Sequence, residues 1–247
     1  MRLLLLNPNT SETVTDLLRE AALKVAPGPV EITCVTAQSG VPYIATRAEA
    51  LIGGHFALQI LAERHGEYDA AIIAAFGDPG LGAARELFPV PIVGMAEAGM
   101  HTACMLGGRF AIVTFAEALA PWYQECVAMH GLQSRCAGIL TLDNAFKDLA
   151  DVQNERADLL VELAEKAVSE RGADVVVLAG APLAGLSDKV RDRISVPLVD
   201  CIGAATLQAF ALSTLNPRPP EAGSFKRPLA KESIGLSKPL ADWIAHR

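Results

Sequence analysis

Aromatic side chains make up only 5% of this 247-residue chain. That is too few to interleave with basic residues on a nucleic-acid-binding face. Lys and Arg number 21 against 28 Asp and Glu, a net charge of −7, and no basic run stands out, so no nucleic-acid partner is expected. Cysteine is equally thin. Cys34, Cys104, Cys126, Cys136 and Cys201 are an odd number with no CxxC pair and no metal-ligand spacing, so each reads as a small buried apolar residue. The five histidines form no HxH or HExxH pattern, so no built-in metal is expected. No apolar stretch approaches the roughly 18–20 residues that cross a bilayer. The apolar run in the opening "MRLLLLNPNT" falls short of the roughly 7–15 residues of a signal-peptide core. The expectation is a cytoplasmic protein with no membrane partner.

What the chain has is aliphatic. Hydrophobic residues reach 51%, a mixture suited to helices packed on parallel strands that are buried on both faces. Short aliphatic runs bounded by Gly, Pro or Asn alternate with longer Ala/Leu/Glu/Arg segments, the α/β signature. The strands read as 3–7, 31–37, 70–76, 91–95, 110–115, 136–142, 174–180 and 197–200, with a long helix from about Leu149 to Glu170.

The chain also repeats itself. "AAFGDPGLGAARELFPVPIVG" (74–94) and "LAGAPLAGLSDKVRDRISVPLVD" (178–200) follow one plan, and the alignment sets Asp69 on Asp174, Ala75 on Gly180 and Gly80 on Gly185. "RLLLLNPNTS" from Arg2 similarly matches "RFAIVTFAEA" from Arg109. The expected architecture is two pseudo-symmetric three-layer parallel-sheet halves, 1–106 and 107–214, facing a central cleft and free to exchange terminal segments. A tail follows over 215–247, and its Trp243 and Ile244 suggest docking on the body or on a neighbouring subunit. Parallel strands gather their carboxyl-end loops on one edge, so both repeated turns should face one ligand.

Four motifs, "LLLLNPNTS", "AFGDPGL", "VGMAEA" and "FAIVTF", in this order and spacing, resemble the aspartate/glutamate/hydantoin racemase superfamily, and within it the hydantoin and allantoin racemase branch. The likeness covers about 1–214. It implies a pseudo-symmetric α/β enzyme, often a homo-oligomer, that binds a small carboxylate or cyclic ureide between its halves without a cofactor. The family chemistry is two-base proton exchange at a carbon next to a carbonyl, carried by one cysteine on each turn. Those cysteines correspond here to Ala75 and Gly180, and neither residue can transfer a proton. The loss of both thiols leads to the expectation of non-thiol chemistry, hydrolytic or lyase-type, on a hydantoin-like ureide, thiohydantoin or small carboxylate. Two alternatives stay open: a racemase with other bases, and a ligand-binding homologue without activity.

Three residues are candidates for catalysis. Asp78 follows the first turn as a base, a ureide hydrogen-bond partner or a helix cap. His101 lies four residues after Glu97, which would orient it as a general base on a shared helix face. Cys201, after Asp200 in "PLVDC", stands at a strand-to-helix junction where helix amides lower a thiol pKa, and the alternative is a capping Asp followed by a buried Cys. Asp78, Glu97, His101 and Cys201 show no metal-ligand spacing among themselves. Candidates for substrate binding are Asn9 and Thr10 after the first strand, Thr114 as the symmetry mate of Asn7, Tyr43, the first-turn residues Ala75, Phe76 and Gly77, and the second-turn residues Gly180, Ala181 and Pro182.

Overall fold

Eight aliphatic runs become eight short parallel strands in the computed structural model, which describes residues 1–142 and 152–247. In the first half β1 (Arg2–Asn7), α1 (Glu12–Val25), β2 (Glu31–Thr36), α2 (Arg47–Glu63), β3 (Ala70–Ile73), α3 (Leu81–Leu87), β4 (Ile92–Gly94) and α4 (Met95–Leu106) follow one another. The second half runs β5 (Phe110–Thr114), α5 (Ala120–Met129), β6 (Cys136–Thr141), α6 (Val152–Arg171), β7 (Val175–Leu178), α7 (Leu186–Val190), β8 (Leu198–Asp200) and α8 (Cys201–Leu215). Residues 149–151 of the expected long helix lie outside the described residues.

The sheet orders are β2-β1-β3-β4 and β6-β5-β7-β8, the same order shifted by four strands, as a duplicated unit requires. Leu3 to Leu6 on β1 and Val175 to Val177 on β7 are all buried. Strands covered by helices on both faces explain these unbroken apolar runs in place of alternation. The repeat extends to a clasp at the start of each half. Asp69 accepts the backbone N–H of Arg2 at 2.7 Å, and Asp174 accepts that of Arg109 at 2.8 Å.

Strands end earlier than the apolar pattern suggests. The amide of Ala74 donates to Leu6 at 2.8 Å and that of Ala179 to Val113 at 2.9 Å. Beyond these last bonds the chain turns, so Ala75 and Gly180 are the first residues clear of each sheet.

The halves are interleaved. α8, at the end of the second half, packs on β3 and β4 of the first sheet, while α4 packs on β7 and β8 of the second, and the two helices lie against each other. One core cluster therefore draws buried side chains from both halves. The tail crosses back to the first half, where α9 (Lys238–Ile244) buries Leu240. There the Trp243 indole N–H donates to Leu87 O at 3.1 Å and the ring stacks on Phe88.

Candidate active site

The repeated turns meet across a small cavity at the carboxyl ends of β3 and β7. Asn9, Tyr43, Ile44, Ala75 and Phe76 from the first half face Trp122, Tyr123, Gly180, Ala181 and Pro182 from the second. The cavity volume is about 20 Å³, room for about one water molecule. A wider groove of about 500 Å³ lies among α1, α4, α7 and α8. It shares no lining residue with this cavity and contains neither Ala75 nor Gly180. The smaller space is the one that both repeats build.

Local sequence explains the walls. Asn7, buried at the end of β1, donates from Nδ2 to Asn9 Oδ1 at 2.9 Å and to Thr15 Oγ1 at 3.0 Å. The same Asn9 oxygen accepts the Ser11 amide at 2.9 Å, so the loop is fixed from within and Asn9 offers its amide nitrogen to a ligand. Ser11 caps α1 through the Val14 amide. Thr10 donates its backbone N–H to Val41 O at 3.0 Å and does not line the cavity. Thr114 is buried and donates to Ala179 O at 2.8 Å, which ties β5 to the second turn beneath the cavity floor. Burial pushes the phenols of Tyr43 on the first-half wall and Tyr123 on the second-half wall well above their ordinary range.

The two glycine positions are occupied from outside. Gly180 has φ 116°, where side chains are disfavoured, and a Cβ there would stand 2.6 Å from the Phe115 ring. A Cβ on Gly77 would fall 2.2 Å from Trp122, so Gly77 packs beneath that ring and is not a lining residue.

None of the three residues expected to be catalytic reaches the cavity. Asp78 is buried and turned away. Its Oδ1 and Oδ2 accept the backbone amides of Ala96 and Glu97, both at 2.8 Å, so it caps α4, eighteen residues on, instead of the helix that follows it. Burial pushes its carboxyl up, against the opposing pull of His130 and the two amides. Cys201 is closed in beneath Gly99, and its thiol donates to Leu178 O at 3.1 Å. Burial raises that thiol far above the ordinary value, with Asp200 and Asp78 adding to the effect. Enclosed there, the thiol lies outside the cavity and meets no ligand in it, and the α8 amide of Gly203 is capped by Asp200 at 2.9 Å instead. His101 is exposed on α4. Glu97 does share its face, but its carboxylate is engaged by Arg85.

Sequence reasoning passed over Trp122 and Tyr123. Their signal was an adjacent aromatic pair just after the β5 turn, in a chain with few aromatics. It also passed over His130, whose Nε2 lies 3.1 Å from Asp78 Oδ2. No motif announces a contact between residues 52 apart.

Two interlocked α/β halves whose equivalent turns close on one small cavity define a class of pseudo-symmetric small-molecule enzyme. Within that class, the Asp/Glu/Hydantoin racemase family profile matches residues 3–209, and the chain belongs to this family. It is 32% identical over 236 residues, 95% of this chain and 100% of the relative, to hydantoin racemase of Paenarthrobacter aurescens. Allantoin racemase from Klebsiella pneumoniae superposes with a TM-score of 0.92 at 31% identity, covering 97% of this chain and 98% of that one. Arylmalonate decarboxylase, at 16% identity and TM-score 0.60 over 86% of this chain and 92% of that one, shares the fold alone.

These relatives correct the expected reaction. Hydrolytic or lyase-type chemistry rested on the two missing thiols. The proteins that align along nearly the whole chain are instead named racemases, which points to an isomerase in place of a hydrolase or lyase.

Proposed function

We propose that the protein racemises a small cyclic ureide of the hydantoin or allantoin type at the ring carbon between nitrogen and carbonyl, in the cavity between Ala75 and Gly180, with non-thiol proton carriers. The observation that carries this reading is that both repeats contribute equally to one small, largely apolar cavity at the carboxyl edge of the two sheets. Removing the carbon-bound proton makes an enolate, and returning a proton to the opposite face inverts the centre. Tyr43 and Tyr123 are the titratable side chains of that cavity. One acts as phenolate base and the other as phenol acid, and the roles exchange with the enantiomer. Asn9 and the turn residues Phe76, Ala181 and Pro182 hold the ring. A five-membered ureide is larger than one water, so the aromatic wall of Tyr43 and Trp122 parts on binding.

Raised phenol pKa values make the phenolate a strong but scarce base at neutral pH. The rate should therefore climb about tenfold per pH unit toward alkaline pH, since the phenolate fraction does so below its pKa. Proton NMR of 5-substituted hydantoins and allantoin in deuterium oxide reads this directly as deuterium entering C5. Tyr43→Phe and Tyr123→Phe should each remove the exchange. The same measurement separates a second reading, favoured by the lack of any carboxylate, imidazole or thiol among the cavity-lining residues. Saturable binding with no deuterium above background marks a binding protein. Exposed Leu51, Met105 and Leu215 support a homo-oligomer, which light scattering measures.

A further inference from the structure

Behind the first turn lies a group of charged and ligating side chains that the proposed reaction does not use. Glu97 and His101 project from one face of α4, and His130 sits at the end of α5. One ligand atom from each falls within 4.8 Å of the other two. The hydrogen-bond pattern around His130 is informative. Both oxygens of Asp78 already accept backbone amides. The hydrogen at the 3.1 Å Asp78–His130 contact therefore belongs to Nε2, and in the neutral tautomer Nδ1 presents its lone pair on the Glu97 side. That Nδ1 faces Glu97 Oε1 at 3.7 Å, an oxygen that also accepts from Arg85 Nη1 at 2.9 Å, so a ring nitrogen and a carboxylate oxygen turn toward the space that a cation would share with them. A carboxylate behind the imidazole is the outer partner that metal-bound histidines recruit to fix the ring and its tautomer.

We propose that Glu97, His101 and His130 form a binding site for one divalent transition-metal ion of the zinc type. Two imidazoles and one carboxylate suit zinc, with water completing a tetrahedron on the exposed His101 side. Ligand atoms around zinc stand about 3.3 Å apart for bonds of about 2.0–2.1 Å, so the three converge by side-chain rotation alone. Glu97 turns Oε1 to the metal while its other oxygen keeps the bond from Arg85 Nη2. The ligand spacing was invisible in the sequence because the third donor comes from the other half of the repeat. A bound ion clamps α4 to α5 and, through His130 and Asp78, the turn that carries Ala75.

Among the described residues a second triple, Asp78, Cys126 and His130, also lies close together. It is the weaker site. Asp78 is committed to two amides, and burial raises the Cys126 thiol, which opposes formation of the thiolate a metal needs.

The test is calorimetric titration of chelator-stripped full-length protein with zinc chloride, followed by cobalt(II) absorption. The expected result is one equivalent bound with a raised Tm. His101→Ala should weaken binding by at least about tenfold, the lower end of what even an outer partner costs. His55→Ala, an exposed histidine on α2, should change nothing. His101 is exposed, so its variant keeps the fold even where His130→Ala does not. Cobalt should give visible d–d bands without an intense near-ultraviolet sulfur band. No binding by the wild type, unchanged binding by His101→Ala, or a thiolate band would each overturn the assignment.

Discussion

Single atoms decide what the two turns can do. Gly180 carries φ 116° and has Phe115 where a side chain would go. Gly180→Cys, which would put a thiol back on the second turn, must displace that ring and adopt a disfavoured backbone. The two effects together cost about 2–4 kcal/mol, readable as a lowered Tm. Ala75 is different, since its Cβ already points into the cavity wall and only one sulfur is added. Ala75→Cys should fold normally and accelerate C5 deuterium exchange, because burial raises thiol and phenol alike while a thiol starts from an ordinary pKa of about 8.5 against about 10 for a phenol. Unchanged exchange in a well-folded variant would move the reaction away from this cavity. The sequence made both positions legible through the repeat. It could not show Phe115 lying on Gly180, because that contact joins residues 65 apart, just past the ends of β5 and β7.

At the scale of elements, local rules located the strands and misassigned one cap. The inner strands were readable because parallel ladders buried on both faces write continuous apolar runs, and the partly exposed edge strands β2, β6 and β8 were readable from short aliphatic runs between turn residues. Their ends were not, since Ala74 to Phe76 stay buried after leaving the ladder. Asp78 followed a strand and preceded a helix, so sequence proximity suggested base or adjacent cap. The structure spends its carboxylate on the first turn of α4. Asp78→Ala would strip two buried amides and His130 of their acceptor, which should cost about 2–4 kcal/mol and appear as a lowered denaturation midpoint with an unchanged m-value. The Arg2–Asp69 clasp bears on acid stability. Its hydrogen bonds from Arg2 hold the Asp69 carboxyl below the ordinary range. A depressed carboxyl stabilises fully above its unfolded pKa, and that contribution is lost as pH falls through the folded value. Asp69→Asn should therefore flatten the stability profile below about pH 4, while a profile parallel to the wild type would show that the clasp contributes nothing.

For the whole molecule, the repeat in the sequence suggested two units divided near residue 106, and the structure joins them more tightly than a linker would. α8 covers β3 and β4 of the first sheet, and α4 covers β7 and β8 of the second. A fragment of residues 1–106 would leave the face of β3 and β4 bare of α8 and the buried Met100 and Ala103 of α4 facing water. Each large apolar side chain exposed in this way forfeits about 1.5–3 kcal/mol, and a few such losses equal the entire stability of a domain this size. The fragment should therefore fail to fold, with narrow amide dispersion in its NMR spectrum, whereas the intact chain should melt in one transition. A folded 1–106 fragment would mean that the halves are autonomous and that the cavity is an interface between domains. A single transition would mean that the walls carrying Ala75 and Gly180 are held by the same core. The spacing of the two turns is then fixed by the exchange of α4 and α8.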